Sequence, residues 1–190
     1  MTYKEALTKL WTGYAQSTYT RYVGYNTACG SRMYGTLSNI EVSRCIEMPV
    51  AENLMVGMGV GMALEGFRPV VCFERHDFLL LGLDAIVNHL DKLPYLSGWQ
   101  YKLPVIIRAI VGASKPLYVG PQHSKDYTAQ LIGMLEYTPV REFTKSTSYE
   151  EMLDAVNMVG KTPSGAVVII EHRDLYDINV PTLTETTTGA

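Results

Sequence analysis

The stretch Pro104-Val105-Ile106-Ile107-Arg108-Ala109-Ile110-Val111 carries one charge in a run that is otherwise apolar at both odd and even positions. Side chains on a strand alternate between two faces, so such a run is a strand covered on both sides. That is the mark of a parallel sheet held between helices. Working outward, the same pattern recurs at Pro69-Val70-Val71-Cys72-Phe73 and Ala166-Val167-Val168-Ile169-Ile170, with shorter candidates at Arg21–Gly24, Arg44–Met48 and Val140–Phe143. Helical periodicity fills the intervals. Ala6, Leu7, Leu10, Trp11 and Tyr14 share one side of a helix over 2–16. An apolar helix over 50–65 ends at Gly66. Asp77 is placed to cap a helix from Phe78 to Lys92, and a helix is expected after Gln122-His123-Ser124. Ser148-Tyr149-Glu150-Glu151 is a capping box opening a helix that runs to Val159. The stretch from Tyr25 to Asn39 reads as a long loop, and 112–121 as a Gly- and Pro-containing one. Alternating strands and helices predict a three-layer α/β/α fold with a mainly parallel sheet, whose ligands would sit at the carboxyl ends of the strands. The expected organisation is one domain over 1–180 and a frayed Thr-rich tail over 181–190. There is no internal repeat and no sign of a second domain.

Composition narrows the class. The 190 residues are 47% hydrophobic with a formal net charge of −3, which supports a sizeable core and argues against nonspecific nucleic-acid binding. No run of eighteen apolar residues suggests a membrane span, and the N-terminus reads as an ordinary helix, not a signal peptide. Cys29, Cys45 and Cys72 are odd in number and widely spaced, so neither a disulfide framework nor a zinc site is expected. Cys72 reads as a small buried hydrophobe, and a reducing, cytoplasmic setting is expected.

Several residues could carry chemistry. Glu52 is the only carboxylate among the sixteen residues Pro49–Leu64. Two readings stand: a first-turn glutamate favoured by the helix dipole, or a carboxylate kept in apolar surroundings for a purpose. Gly57, Gly59 and Gly61 do not form a dinucleotide-binding pattern; small residues four apart suit close helix packing, within the fold or across a subunit interface. His76 and His123 lie where strands give way to helices or loops, a suitable place for acid–base groups, although a loop histidine is commonly a surface residue. No phosphate loop, no Gly-Asp-Gly with a downstream Asn and no His/Cys ligand spacing is present, so no metal site is expected on this chain.

Taken together, these segments resemble the N-terminal, pyrimidine-binding domain of the β subunit of pyruvate and branched-chain 2-oxoacid dehydrogenase decarboxylases, in the wider transketolase family. The resemblance rests on Met48-Pro49-Val50-Ala51-Glu52, Gly66-Phe67-Arg68-Pro69 and Cys72-Phe73-Glu74-Arg75-His76-Asp77-Phe78. It continues through Asp84-Ala85-Ile86-Val87-Asn88, Lys92, Tyr95, Ser97-Gly98 and Arg108 to Gln122-His123-Ser124 and Glu171-His172-Arg173-Asp174-Leu175-Tyr176. It implies a thiamine-diphosphate-dependent 2-oxoacid dehydrogenase (decarboxylating) subunit. Glu52 would hydrogen-bond the pyrimidine ring nitrogen and favour the imino tautomer, Phe78 would pack on that ring, and His123 would handle protons or position substrate. His76 stands where the family favours Phe, adding a titratable group to the cofactor-binding side. Magnesium and diphosphate would be held by an α-like partner chain. A homodimer or heterotetramer is expected, with a separate protein as a possible source of the family's C-terminal domain. The chain departs from the family at Gly24-Tyr25-Asn26, where two acidic residues are usual, and the loop before Gln122 is slightly longer. A transketolase-like or deoxyxylulose-phosphate-synthase-like ketol-transfer subunit, and a noncatalytic pyrimidine-domain homologue, are the alternatives.

Overall fold

The computed structural model describes residues 1–114 and 117–181. Its elements in chain order are α1 (Tyr3–Tyr14), β1 (Thr20–Gly24), β2 (Cys45–Glu47), α2 (Glu52–Leu64), β3 (Arg68–Phe73), α3 (His76–Leu79), α4 (Leu93–Leu96), β4 (Ile106–Val111), α5 (Thr128–Met134), β5 (Val140–Glu142), α6 (Tyr149–Asn157) and β6 (Val167–His172). The six strands form one sheet in the order β2-β1-β3-β4-β6-β5, and every pairing is parallel.

The all-apolar strands are covered on both faces, as expected. Ile106 and Ile110 join Tyr22, Val70, Cys72, Val167 and Ile169 under α1 and α6. Ile107, Ala109 and Val111 join Val71, Phe73, Val168 and Ile170 under α2 and residues 79–90. This is the three-layer α/β/α architecture. Cys72 is fully buried, which pushes its thiol up to about 12, and the three cysteines are free. No helix among the described residues is long and apolar enough to cross a membrane. The expected tail at 182–190 lies outside the described residues.

Three local expectations are corrected. The stretch 25–39 is not a bare loop. It adds Met33 and Leu37, both fully buried, to the core beneath α1. Arg32, Met33 and Tyr34 lie consecutively in the left-handed region, an unfavourable conformation for side-chain-bearing residues. The Arg32 guanidinium offsets this by donating to the carbonyls of Thr27, Ser38 and Ile40. Second, the helix expected over 78–92 is broken into α3, a tight turn at Leu80–Gly82 and a wide π-type turn at Ala85–Leu90. Asn53 Oδ1 accepts the Ala85 N–H, and a Cβ on Gly82 would stand 3.3 Å from the Glu52 carbonyl oxygen. The chain bends there to lie against the start of α2. Third, Asp77 does not cap that helix; Arg75 is the capping position, with no side-chain bond. Asp77 Oδ1 instead accepts the Lys125 N–H at 3.3 Å. The helix after Gln122-His123-Ser124 starts only at Thr128.

One buried polar device crosses the core. Arg108 on β4 donates from Nε and Nη2 to the two carboxylate oxygens of Glu171 on β6, at 2.7 and 2.8 Å. Trp11 and Tyr176 donate to the same carboxylate, and Thr36 accepts from Arg108. Burial lowers the tendency of Arg108 to stay charged, but Glu171 outweighs it and the net shift is upward.

Candidate cofactor site at the carboxyl edge of the sheet

Parallel strands all open their carboxyl ends on one edge, and the candidate residues gather there. Glu52 is the first residue of α2 and is 3% exposed. Its Oε1 has no hydrogen-bond partner. An unpaired buried carboxylate oxygen costs on the order of 1–3 kcal/mol or more, partly offset by the helix N-terminus. The bland reading, a wet first-turn glutamate, does not describe this residue.

Beside Glu52 stands Tyr25, at the end of β1. Its hydroxyl is buried, with the Arg75 backbone nearby and no hydrogen bond of ordinary geometry. Burial, then the negative charges of Glu52 and Glu74, push its ionisation far above the ordinary tyrosine range, so it remains a neutral donor. Gly24 before it is required by close approach: a Cβ there would sit 2.4 Å from the Cys72 carbonyl oxygen of the neighbouring strand. Tyr25 meets Phe78 edge-on at 6.2 Å, and Phe78 meets His123 at 5.3 Å. Glu52, Tyr25, Phe78 and His123 therefore form one continuous series, with Phe78 half-buried in its middle. His123 is held in place by two contacts. One is the Asp77–Lys125 bond. The other is Gly112 at the end of β4, where a Cβ would fall 1.8 Å from the His123 carbonyl oxygen.

The residues that follow β1 also have places. Asn26 lies in the left-handed region, and its N–H is accepted by Glu47 at 2.6 Å. Glu47 also accepts the N–H groups of Thr27, Ala28 and Cys29. Burial alone would raise this carboxyl, but the four backbone donors outweigh it and hold it below the ordinary range. Glu74, almost buried, receives bonds from Asn26 and Ser31. The carboxylates of Glu47 and Glu74 thus lie beside the 24–26 segment.

His76 is fully buried and sits apart from the ring series. It meets Tyr127 edge-on at 5.9 Å, and its Nδ1 is 3.7 Å from Asp126 Oδ1. Burial lowers its affinity for a proton, against the raising effect of Asp126 and Asp77. Tyr25, Glu74 and Asp126 were not legible as site residues. Tyr25 could have been suspected from an aromatic hydroxyl ending a parallel strand; nothing in sequence singles out the other two.

The glycines of α2 divide by face. Gly59 points inward, where a Cβ would meet Val71 Cγ2 at 2.6 Å, whereas Cβ atoms on Gly57 and Gly61 would meet nothing within 4 Å. These two lie on an outer strip with Leu54 and Leu64, both well exposed.

This parallel fold, with an orphaned glutamate at the carboxyl edge, is that of a three-layer α/β domain with a candidate ligand site. Residues 12–178 match the family model for the transketolase pyrimidine-binding domain, and the chain belongs to that family. It is 32% identical over 142 residues to the pyruvate dehydrogenase E1 component subunit beta of Rickettsia conorii, covering 75% of this chain and 41% of that protein. It is 40% identical over 136 residues to the chloroplastic subunit beta-3 of Arabidopsis thaliana, covering 71% of this chain and 32% of that protein. The chain thus spans less than half the length of these relatives. Among solved structures it resembles a split gene transketolase, described as an inactive β4 tetramer, with a TM-score of 0.67 and 18% identity. That match covers 97% of this chain and 54% of the other, and it shows the shared fold.

Proposed function

We propose that this chain is the β-like subunit of a split thiamine-diphosphate-dependent 2-oxoacid dehydrogenase, supplying the aminopyrimidine half of the cofactor site. The observation that carries this reading is the buried Glu52 Oε1 without a partner. An aminopyrimidine fits it: a heteroaromatic ring with a protonatable nitrogen would satisfy that oxygen, and the half-buried Phe78 offers a ring face beside it. Thiamine diphosphate, when bound, supplies the electron sink for breaking the bond next to a 2-oxo acid's carbonyl. Glu52 holds the proton shared with the pyrimidine ring nitrogen, and its dry surroundings strengthen that bond. Phe78 orients the ring. Tyr25, locked neutral, lines the same edge beside Phe78 and helps exclude water. His123 presents an imidazole at the far end of the series, where it takes or gives a proton at a ring nitrogen. His76 lies deeper and contributes to the cofactor site indirectly, by shaping the start of α3 that carries Phe78.

The sequence has no Gly-Asp-Gly with a downstream Asn, so an α-like partner is assigned the diphosphate and its magnesium. The outer strip of α2, with Gly57 and Gly61 open to close backbone approach, suits an interface in a homodimer or heterotetramer. A reducing, cytoplasmic location agrees with the free thiols. The test pairs this chain with a neighbouring-gene product that carries Gly-Asp-Gly and a downstream Asn. Calorimetry should show tight magnesium-dependent thiamine-diphosphate binding by the pair and weak or no binding by this chain alone. Tight binding by this chain alone, or none by the pair, would refute the division of labour. Binding by the pair without turnover of any 2-oxo acid would favour the noncatalytic homologue.

A further inference from the structure

Away from the ring series, three donors converge from distant parts of the chain. They are a carboxylate oxygen of Asp126, before α5, one of Glu142, at the end of β5, and an imidazole nitrogen of His172, at the end of β6. All three lie within 4.8 Å of one another. His172 Nε2 and Glu142 Oε1 are 2.7 Å apart, which by itself is an ordinary surface ion pair. A second, independent observation points to a ligand. The side chain of His76 is 0% exposed, and neither of its ring nitrogens has a hydrogen-bond partner. Its Nδ1 lies 3.7 Å from Asp126 Oδ1, one member of this cluster, too far for a hydrogen bond. Two donors on one tetrahedral cation with bonds of about 2.1 Å stand about 3.4 Å apart, close to that separation. A buried imidazole with both nitrogens unsatisfied is costly unless something occupies the space before it.

We propose that Asp126, Glu142, His172 and His76 form a binding site for one divalent transition metal of the zinc class. Mixed imidazole and carboxylate donors suit zinc, and two imidazoles disfavour magnesium and calcium, which select oxygen. Binding requires Asp126, Glu142 and His172, which lie within 4.8 Å of one another, to close by up to about 1.4 Å and to draw in toward His76. Glu142 is exposed and can turn; Asp126 moves only by loosening the bonds its Oδ1 accepts from the Thr128 N–H and hydroxyl, while His76 is fixed by burial. His172 binds through its Nε2 lone pair; its proton resides on Nδ1 or leaves to solvent, and the bond to Glu142 gives way to the metal. The bound ion ties β5 and β6 to the start of α3 and to the 120–127 segment, which carries His123. The site shares His76 and the 120–127 segment with the elements that carry Phe78 and His123, but a metal titration of this chain reads it without thiamine diphosphate.

The experiment uses the full chain in a Cys29→Ser background, which removes the exposed thiol, titrated with zinc and with cobalt. One equivalent should bind, and the cobalt form should show visible d–d bands without thiolate charge-transfer absorption. Asp126→Asn and His172→Gln should each weaken zinc binding at least tenfold, and His76→Gln should weaken it tenfold to a hundredfold. His89→Gln, at an exposed histidine elsewhere, should change nothing. Circular dichroism identifies any variant that fails to fold; Asp126→Asn and His172→Gln, both at solvent-reaching side chains, then carry the test. Absence of saturable zinc binding at micromolar concentrations, or binding indifferent to His172→Gln, would overturn the assignment.

Discussion

Replacing Glu52 by Gln should make the free chain more stable while disabling the assembled enzyme. The residue is 3% exposed and its Oε1 has no partner. Such an oxygen costs on the order of 1–3 kcal/mol, more when charged. The carboxylate recovers part of this at the first turn of α2, where the helix dipole contributes about 0.3–1 kcal/mol. The amide keeps the volume and loses the charge, so the balance predicts a gain of about 1 kcal/mol. For a chain of this size that is roughly 2–4 °C in melting temperature. In the reconstituted enzyme the amide cannot share an acidic proton with the pyrimidine nitrogen, and turnover should fall about a hundredfold or more. The loss should lie in kcat more than in cofactor affinity. Thermal unfolding of the free chain and hydrogen–deuterium exchange of the thiazolium ring proton in the complex read the two halves separately. A destabilised Gln variant that exchanges that proton at the wild-type rate would return Glu52 to an ordinary first-turn glutamate.

Glu171→Gln should cost about 3–5 kcal/mol, because it leaves Arg108 charged and unpaired in the core; urea denaturation reads it, and a loss below 1 kcal/mol would contradict the buried pairing. Gly57→Ala should stabilise the isolated chain by about 1 kcal/mol through helix propensity, yet weaken assembly in sedimentation if the outer strip of α2 is an interface. Gly59→Ala should destabilise by about 1 kcal/mol, since its Cβ meets the branched Val71 at 2.6 Å and overpacking outweighs the propensity gain. Equal effects at the two glycines would show that the faces are wrongly assigned. Glu47, held below the ordinary carboxyl range, contributes stability that is full above its unfolded value and is lost as pH falls through its depressed folded value. Amide-exchange protection of residues 26–29 should therefore persist through the ordinary carboxyl range and fail below it, and Glu47→Gln should abolish that dependence.

The sheet was legible because β3, β4 and β6 are apolar on both alternations, and α6 because its capping box forms as written. Other features depend on contacts that close across long stretches of chain. Nothing local in 25–39 says that Met33 and Leu37 enter the core; the left-handed backbone that takes them there is held by Arg32 bonds up to eight residues away. The break in 78–92 follows from Asn53, thirty-two residues earlier, taking the Ala85 N–H. Glu52 and Phe78 stood out in sequence as an isolated charge and a family aromatic. Tyr25 did not, because a buried tyrosine hydroxyl is recognisable only once its neighbours are placed. The spacing of Asp126, Glu142 and His172 carries no ligand signature, because their convergence is made by strand order.

Gly112 has no functional group, yet its hydrogen in place of a Cβ sets the distance between the end of β4 and the backbone of His123. Any larger residue there would lever the imidazole away from Phe78 without touching either ring. A mutational scan scored by activity alone would then rank position 112 among the reacting residues. Scored by folding, the same position would tolerate change wherever the 117–125 segment can swing outward. Disagreement between the two scores would mark Gly112 as a spacer, a site whose contribution is an empty volume and not a chemical group.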